Sequence, residues 1–256
     1  MGEHGVKVLD KAFLLLSHFY DRDTLSLKEL VELTGMNRST VYRILQMFLK
    51  WGYLERDDTS GRYRVSLKIL EMSGSMLRKM SLLNVCRPFL LDLRDRTGES
   101  SFLSVLRGQN IIIIDWEPSY YDALINVTVG KAVPAYTSGA GKAILAFLPH
   151  EERESRITGY TLRRYTDRTI TDVQTLREVL HETAEAGYGV SRGEYDADIV
   201  VVAAPIFDIH NRVIASCAIG ALKSRVKGEE QIHEYGVIVV DVASHISRKL
   251  GSSGPG

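Results

Sequence analysis

The amino-acid sequence predicts an α+β chain in two parts: three helices and a β-hairpin first, then antiparallel strands interleaved with helices. Three observations predict it. The first 65 residues show helical apolar spacing three times and end in two short strand-like runs. From Ser100 onward, apolar runs of strand length alternate with helical periodicity. Between them lies a helical pattern interrupted by Gly74, which fits a connector over 67–81. The expected divisions are 1–66, 67–81 and 82–250, with "GSSGPG" at 251–256 as a flexible tail.

Each element has a local reason. "VKVLDKAFLLLSHFY" places Val8, Leu9, Ala12, Phe13, Leu15, Leu16 and Phe19 at helical spacing. In "TLSLKELVELTG", Ser26 and Glu29 form a capping-box pattern and Gly35 ends the helix. Asn37 caps a third helix whose inner face is Val41, Ile44, Leu45, Phe48 and Leu49, and Gly52 stops it. "YLER" and "RYRV" around "DDTSG" read as a hairpin. Ser66 caps the connector, and Pro88 fits the first turn of the next helix, "RPFLLDLRDRTG". "SFLSVLRGQNIIIIDWE" is a hairpin turning near Arg107–Asn110, and "ALINVTVG" alternates Ile125, Val127 and Val129 as a strand would. "SGAGKAILAFLP" and "TDVQTLREVLHETAEAG" are helical. "IVVVAAPIFD" and "RVIASCAIGAL" are strands joined by "IHN", and a last helix runs from about Gly228 to Leu250.

Composition bounds the function. The 256 residues carry 32 Lys/Arg and 32 Asp/Glu, but residues 1–80 hold 13 basic against 10 acidic side chains, a bias toward an anionic partner at that end. No apolar run reaches membrane length and no secretory signal opens the chain, so a cytoplasmic location is expected. Cys86 and Cys217 lack motif spacing and read as reduced thiols, and the seven histidines never fall in a metal-ligand pattern. No metal or cofactor is expected. Catalysis is disfavoured: Ser138 and Ser216 lack a G-x-S-x-G setting, and no histidine has an evident partner.

The third helix carries the strongest functional signal. Its side chains not needed for packing are Arg38, Ser39, Tyr42, Arg43, Gln46 and Lys50, none acidic. A helix fits the DNA major groove, residues near its start reach base edges, and its dipole favours a phosphate there. With the hairpin that follows, this is a winged helix-turn-helix pattern. Arg38, Ser39, Thr40, Tyr42 and Arg43, with Arg62 and Arg64 from the wing, are the expected contacts to double-stranded DNA. In the second part, "SGAG" opens a helix whose exposed amides suit a carboxylate; Tyr136 and Ala143 exclude a phosphate loop.

"LSLKELVELTGMNRSTVYRILQMFLKWGYLERDDTSGRYRVSLKILEM" resembles the DNA-binding half of the IclR family of bacterial transcription regulators. "AYTSGAGKAILAFLP", "RYTDRTITDVQTLREVLHETAEAGYGVSRGEY" and "VAAPIFDIHNRVIASCAIGAL" resemble successive stretches of its effector-binding half. The resemblance implies a GAF-like effector domain, a linker helix, and a homodimer or homotetramer on a pseudo-palindromic operator. It also implies a small organic acid bound by backbone groups at Gly139 and Ala140, within a wall of Ile125, Val133, Ser191, Ile199, Val201, Ala218 and Gly220. This sequence departs from family members that bind glyoxylate-like acids. Those have Asp at the Ser191 position, Cys at Val201, and serines at Ala218 and Gly220. The pocket is therefore expected to be larger and more apolar unless larger neighbours fill it. Trp116, Tyr120, Tyr121 and Tyr136 are further candidates for its wall, and Asp196 and Asp198 for facing a cation. A constitutive DNA-binding regulator with a ligandless C-terminal domain remains open.

Overall fold

The structure, a computed structural model, describes residues 3–71, 81–121, 125 and 127–253. By its contacts the chain divides into two compact units, Met1–Met80 and Ser81–Gly256. Among the described residues no helix is long and apolar enough to cross a membrane.

The first unit contains α1 (Glu3–Ser17), α2 (Leu27–Thr34), α3 (Arg38–Lys50), β1 (Leu54–Arg56) and β2 (Tyr63–Val65). Leu15, Leu30, Val41, Leu45, Leu54 and Tyr63 close its core. Local chemistry sets the ends of α2 and α3. Ser26 and Glu29 make both bonds of the capping box, and Gly35 ends α2 at φ 65°. The Asn37 side chain accepts the Thr40 N–H at 2.9 Å. The strands pair antiparallel from Leu54↔Val65 to Arg56↔Tyr63, and Leu25 bridges Tyr63 from the other side. Tyr63 of β2 is thereby paired on both sides, and the hairpin is not left as an isolated ribbon. After it the chain is helical over 67–71, capped by Ser66, which accepts the Lys68 N–H. The rest of the expected connector, with Gly74, lies outside the described residues.

The second unit is a six-stranded antiparallel sheet in the order β5-β4-β3-β8-β7-β6. Its strands are β3 (Ser100–Arg107), β4 (Asn110–Glu117), β5 (Ala132–Pro134), β6 (Gly189–Arg192), β7 (Ile199–Phe207) and β8 (Val213–Leu222). The helices are α4 (Ser81–Thr97), α5 (Gly139–Ala146), α6 (His150–Thr158), α7 (Val173–Ala186) and α8 (Glu229–Lys249). Strand alternation separates two faces. Cys217 Sγ donates to Val239 O of α8, and Ser101 Oγ donates to Leu90 O of α4, so one face is covered by α4 and α8. The neighbours Phe102 and Ala218, paired in register, belong to the opposite core with α5 and α7. Both cysteines are free and buried, and burial pushes the Cys86 thiol up to about 12.

Five expectations differ. Pro88 lies inside α4, not in its first turn, because the helix starts at Ser81; proline there removes one helical donor. "ALINVTVG" is not a strand among its described residues. The chain instead meets the middle of β4, where Gly130 N–H donates to Ile113 O, and joins the sheet at Ala132. β6 was not read from "GYGVSR", which is short and lacks an apolar run. α6 was missed because Ile157 is its one buried residue, leaving no apolar period. Gly251 and Ser252, expected in a loose tail, are anchored: Ser252 Oγ donates to Asn211 Oδ1 at 2.8 Å.

Candidate nucleic-acid interface and ligand cavity

In the first unit, the start of α3 presents Arg38, Ser39, Tyr42 and Arg43 to solvent, while Thr40 is half-buried. The turn that aims them is the Asn37 cap, whose Oδ1 also accepts the Ser39 hydroxyl at 3.0 Å. An open groove of about 810 Å³ runs along this surface, lined by Ser26, Lys28, Arg38, Ser39, Tyr42 and Arg56 among others. Its cations and hydroxyls are what a phosphate-rich partner needs.

The wing differs from the expectation. Arg62 turns inward, with Nε 2.9 Å from Thr24 Oγ1 and Nη2 2.9 Å from Glu29 Oε2. Arg64 places Nε and Nη2 on Glu55 Oε2 at 3.0 and 2.9 Å. The Ser26 backbone N–H, then the Ser26 hydroxyl, then Arg62 hold the Glu29 carboxyl down to about 2. Arg56, which sequence reasoning passed over, stands at the groove with its guanidinium 5.8 Å from the Tyr63 ring centre.

In the second unit, a cavity of about 60 Å³ lies between the sheet and the start of α5. Its apolar lining includes Phe102, Ile111, Ile113 and Val127. Thr137, Ser138 and Ser191 form a polar corner, and Lys131, Tyr195 and Asp196 complete it. Of the expected wall, Ile125, Val133, Ser191, Ile199 and Val201 line this cavity; Gly139, Ala140, Ala218 and Gly220 do not.

Each exception has a physical reason. A Cβ on Gly139 would sit 2.4 Å from Val201 O, so this glycine permits close approach of helix to strand. The Ala140 N–H is taken by Ser138 Oγ at 3.3 Å. Ala218 is fully buried in the core. A Cβ on Gly220 would meet Ile125 Cδ1 at 2.3 Å: the isoleucine fills the volume that the small wall residues leave. The expected enlargement is therefore absent at this position.

The four aromatic candidates are engaged elsewhere. Tyr120 donates to Asp95 and lies under Arg94, and Tyr121 lies under Arg225. Tyr136 donates to Arg163 O and meets Tyr160 edge-on, while Trp116 packs on the core. Asp198 does not line the cavity, whereas Asp196 does. Tyr195 went unread because it sits in a polar loop with no periodicity.

That loop is held by an ion pair that sequence reasoning also missed. Lys142, 1% exposed, donates from Nζ to both carboxylate oxygens of Glu194 at 2.6 and 2.8 Å. Burial pushes the Lys142 ammonium below its ordinary pKa, against the pull of Glu194. Thr166 and Thr169 donate to Gly193 O and Glu194 O, and Ser191 Oγ donates to Thr137 O at 3.0 Å. The loop bearing Tyr195 and Asp196 is thus tied to the first turn of α5.

Residues 8–58 match the IclR helix-turn-helix domain, and residues 74–248 match the bacterial transcriptional regulator IclR C-terminal domain. The chain belongs to the IclR family. As a member it is a DNA-binding transcription regulator, not an enzyme. It is 30% identical over 241 residues to the HTH-type transcriptional regulator KdgR of Escherichia coli, covering 94% of this chain and 91% of that one. The crystal structure of the Thermotoga maritima IclR superposes with a TM-score of 0.74 at 29% identity, covering 96% and 99% of the two chains. An IclR homolog from Microbacterium hydrocarbonoxydans, complexed with 4-hydroxybenzoate, shares the fold with a TM-score of 0.78 at 24% identity, over 95% and 98%.

Proposed function

We propose that the protein is an effector-responsive regulator in which residues 1–66 bind DNA, 67–81 link, and 82–250 sense a small organic acid. The observation that carries the DNA half is the carboxylate-free start of α3: Arg38 and Arg43 are exposed and, among the described residues, meet no acidic partner. Arg38, Ser39, Thr40, Tyr42 and Arg43 contact base edges and phosphates in the major groove, as a homodimer or homotetramer on a pseudo-palindromic operator in the cytoplasm. Two half-sites give specificity that one helix start cannot.

The cavity supports a compact acid with an apolar body. Its carboxylate sits in the polar corner at the start of α5, beside Thr137, Ser138 and Ser191, where the Ser138 hydroxyl can donate and the helix dipole favours an anion. Its body lies against Ile125, Val133 and Val201. Binding shifts DNA affinity to the extent that the acid favours one conformational state over the other. A thermal-shift panel of aliphatic and aromatic carboxylic acids tests this. A true effector at 100 times its Kd stabilises by about 2.7 kcal/mol.

The filling of the wall by Ile125 favours a second reading, a constitutive DNA-binding regulator whose C-terminal unit takes no ligand. A panel with no shift, beside intact DNA binding, carries that reading instead.

A further inference from the structure

The wing holds three arginines, and the structure gives them different work. Arg64 is neutralised across the hairpin by Glu55, its partner in strand register. Arg62 reaches away from the hairpin to Thr24 and Glu29. Glu29 is also the capping-box acid of α2, accepting the Ser26 N–H at 2.7 Å. One carboxylate therefore fastens the wing to the N-terminus of α2. Arg56 ends β1 opposite Tyr63 and meets no carboxylate among the described residues. Its Nε donates to Gly61 O at 3.4 Å and its guanidinium lies over the Tyr63 ring. A ring face and a carbonyl steady a guanidinium without cancelling its charge. Arg56 also lines the same groove as Arg38, Ser39 and Tyr42.

The wing tip points the same way. It carries Asp57 and Asp58, both exposed. Asp57 is turned back into the hairpin, accepting the N–H groups of Thr59 and Ser60. An acidic tip is repelled by a narrow groove between phosphate strands, so the cation that meets the backbone has to stand at the base of the wing.

We infer that Arg56 is the wing's phosphate contact and that Arg62 is a positioning residue, setting the wing against α2 through Glu29 and Thr24 and so placing Arg56 beside α3. The assignment rests on the reading of α3 as the DNA-reading helix. Arg62 in contact with phosphate would first have to leave a hydrogen-bonded carboxylate. Arg56 already faces the groove with its charge unspent.

The test is binding of the full chain to a random-sequence DNA duplex, followed by fluorescence anisotropy across a salt series. Each phosphate contact adds about 0.9 to the slope of log affinity against log salt, worth about eightfold between 1 M and 0.1 M. Arg56→Ala should flatten the slope by about one contact and leave the thermal midpoint unchanged. Arg62→Ala should weaken binding at every salt concentration with the slope kept, and lower the midpoint. Glu29→Gln is decisive, because it removes a negative charge and frees Arg62. If Arg62 only positions, Glu29→Gln weakens DNA binding; if Arg62 is a phosphate contact restrained by Glu29, it strengthens it. An unchanged slope in Arg56→Ala, or tighter binding by Glu29→Gln, overturns the assignment. If the unaltered protein shows no salt-dependent affinity for duplex DNA, the reading of α3 itself falls.

Discussion

Lys142 and Glu194 show how a single pair can shape a site without lining it. The ammonium is sealed from water and reaches two carboxylate oxygens, while the loop that supplies Glu194 also supplies Tyr195 and Asp196 to the cavity. Removing one partner leaves a buried charge alone, so Lys142→Met should cost about 3–5 kcal/mol in urea unfolding. Adding Glu194→Gln should recover most of that loss; a double variant no more stable than Lys142→Met would show that the pair's charge is not what matters. Glu29 is the half-buried counterpart. Its carboxyl is depressed to about 2 from 4.5, so its stabilising bonds are present above pH 4.5 and lost as pH falls through 2. In a Trp116→Phe background, Trp51 fluorescence should show acid unfolding moving to higher pH and losing this dependence in Glu29→Gln; an unchanged profile refutes the linkage. Neither pair's partnership was visible in the sequence, because each joins residues too distant for local spacing to reveal: 52 positions apart for Lys142–Glu194 and 33 for Glu29–Arg62.

At the scale of elements, what was legible followed from local rules. Ser26 and Asn37 each cap the helix that follows, and Gly35 ends α2 at φ 65°. These features involve residues two to four apart, so sequence order alone reveals them. β6 and β5 are different, because each is defined by the neighbour it pairs with, β7 or β4, rather than by its own composition. The candidate site divides the same way. Ile125, Val133, Ser191, Ile199 and Val201, expected from the resemblance, line the cavity, but Ile125 filling the space over Gly220 required the fold to be closed. The "SGAG" start read as a ligand cradle, yet Gly139 is also a packing requirement. Gly139→Ala would drive a Cβ to 2.4 Å from Val201 O and 2.8 Å from Gly189 O. Neither backbone atom can yield cheaply, and overpacking of this kind costs about 1–3 kcal/mol. Urea unfolding of Gly139→Ala should register that loss even without ligand; full stability would mean that the strands part easily.

At the scale of the whole molecule, net charge is zero, yet the two units carry opposite balances, which suits a regulator that presents one end to DNA. One surface of the first unit is not accounted for by that role. α1 buries Leu15 in the core but leaves Val8, Leu9, Phe13 and Leu14 between 48% and 66% exposed. Four large exposed apolar side chains on one fifteen-residue helix leave surface that water disfavours, at about 25 cal/mol per Å² left uncovered. A second copy of the chain is the occupant that the proposed pseudo-palindromic operator calls for, because two copies of α3 must be held at a fixed half-site spacing. Phe13→Asp should therefore spare the fold of its own unit, since the side chain is 66% exposed, and lower the mass of the protein in sedimentation at micromolar concentration. The same variant should weaken binding to a two-half-site duplex more than to a single half-site. An unchanged sedimentation mass, with the two duplexes affected alike, would remove α1 from the interface and leave the association to other surfaces.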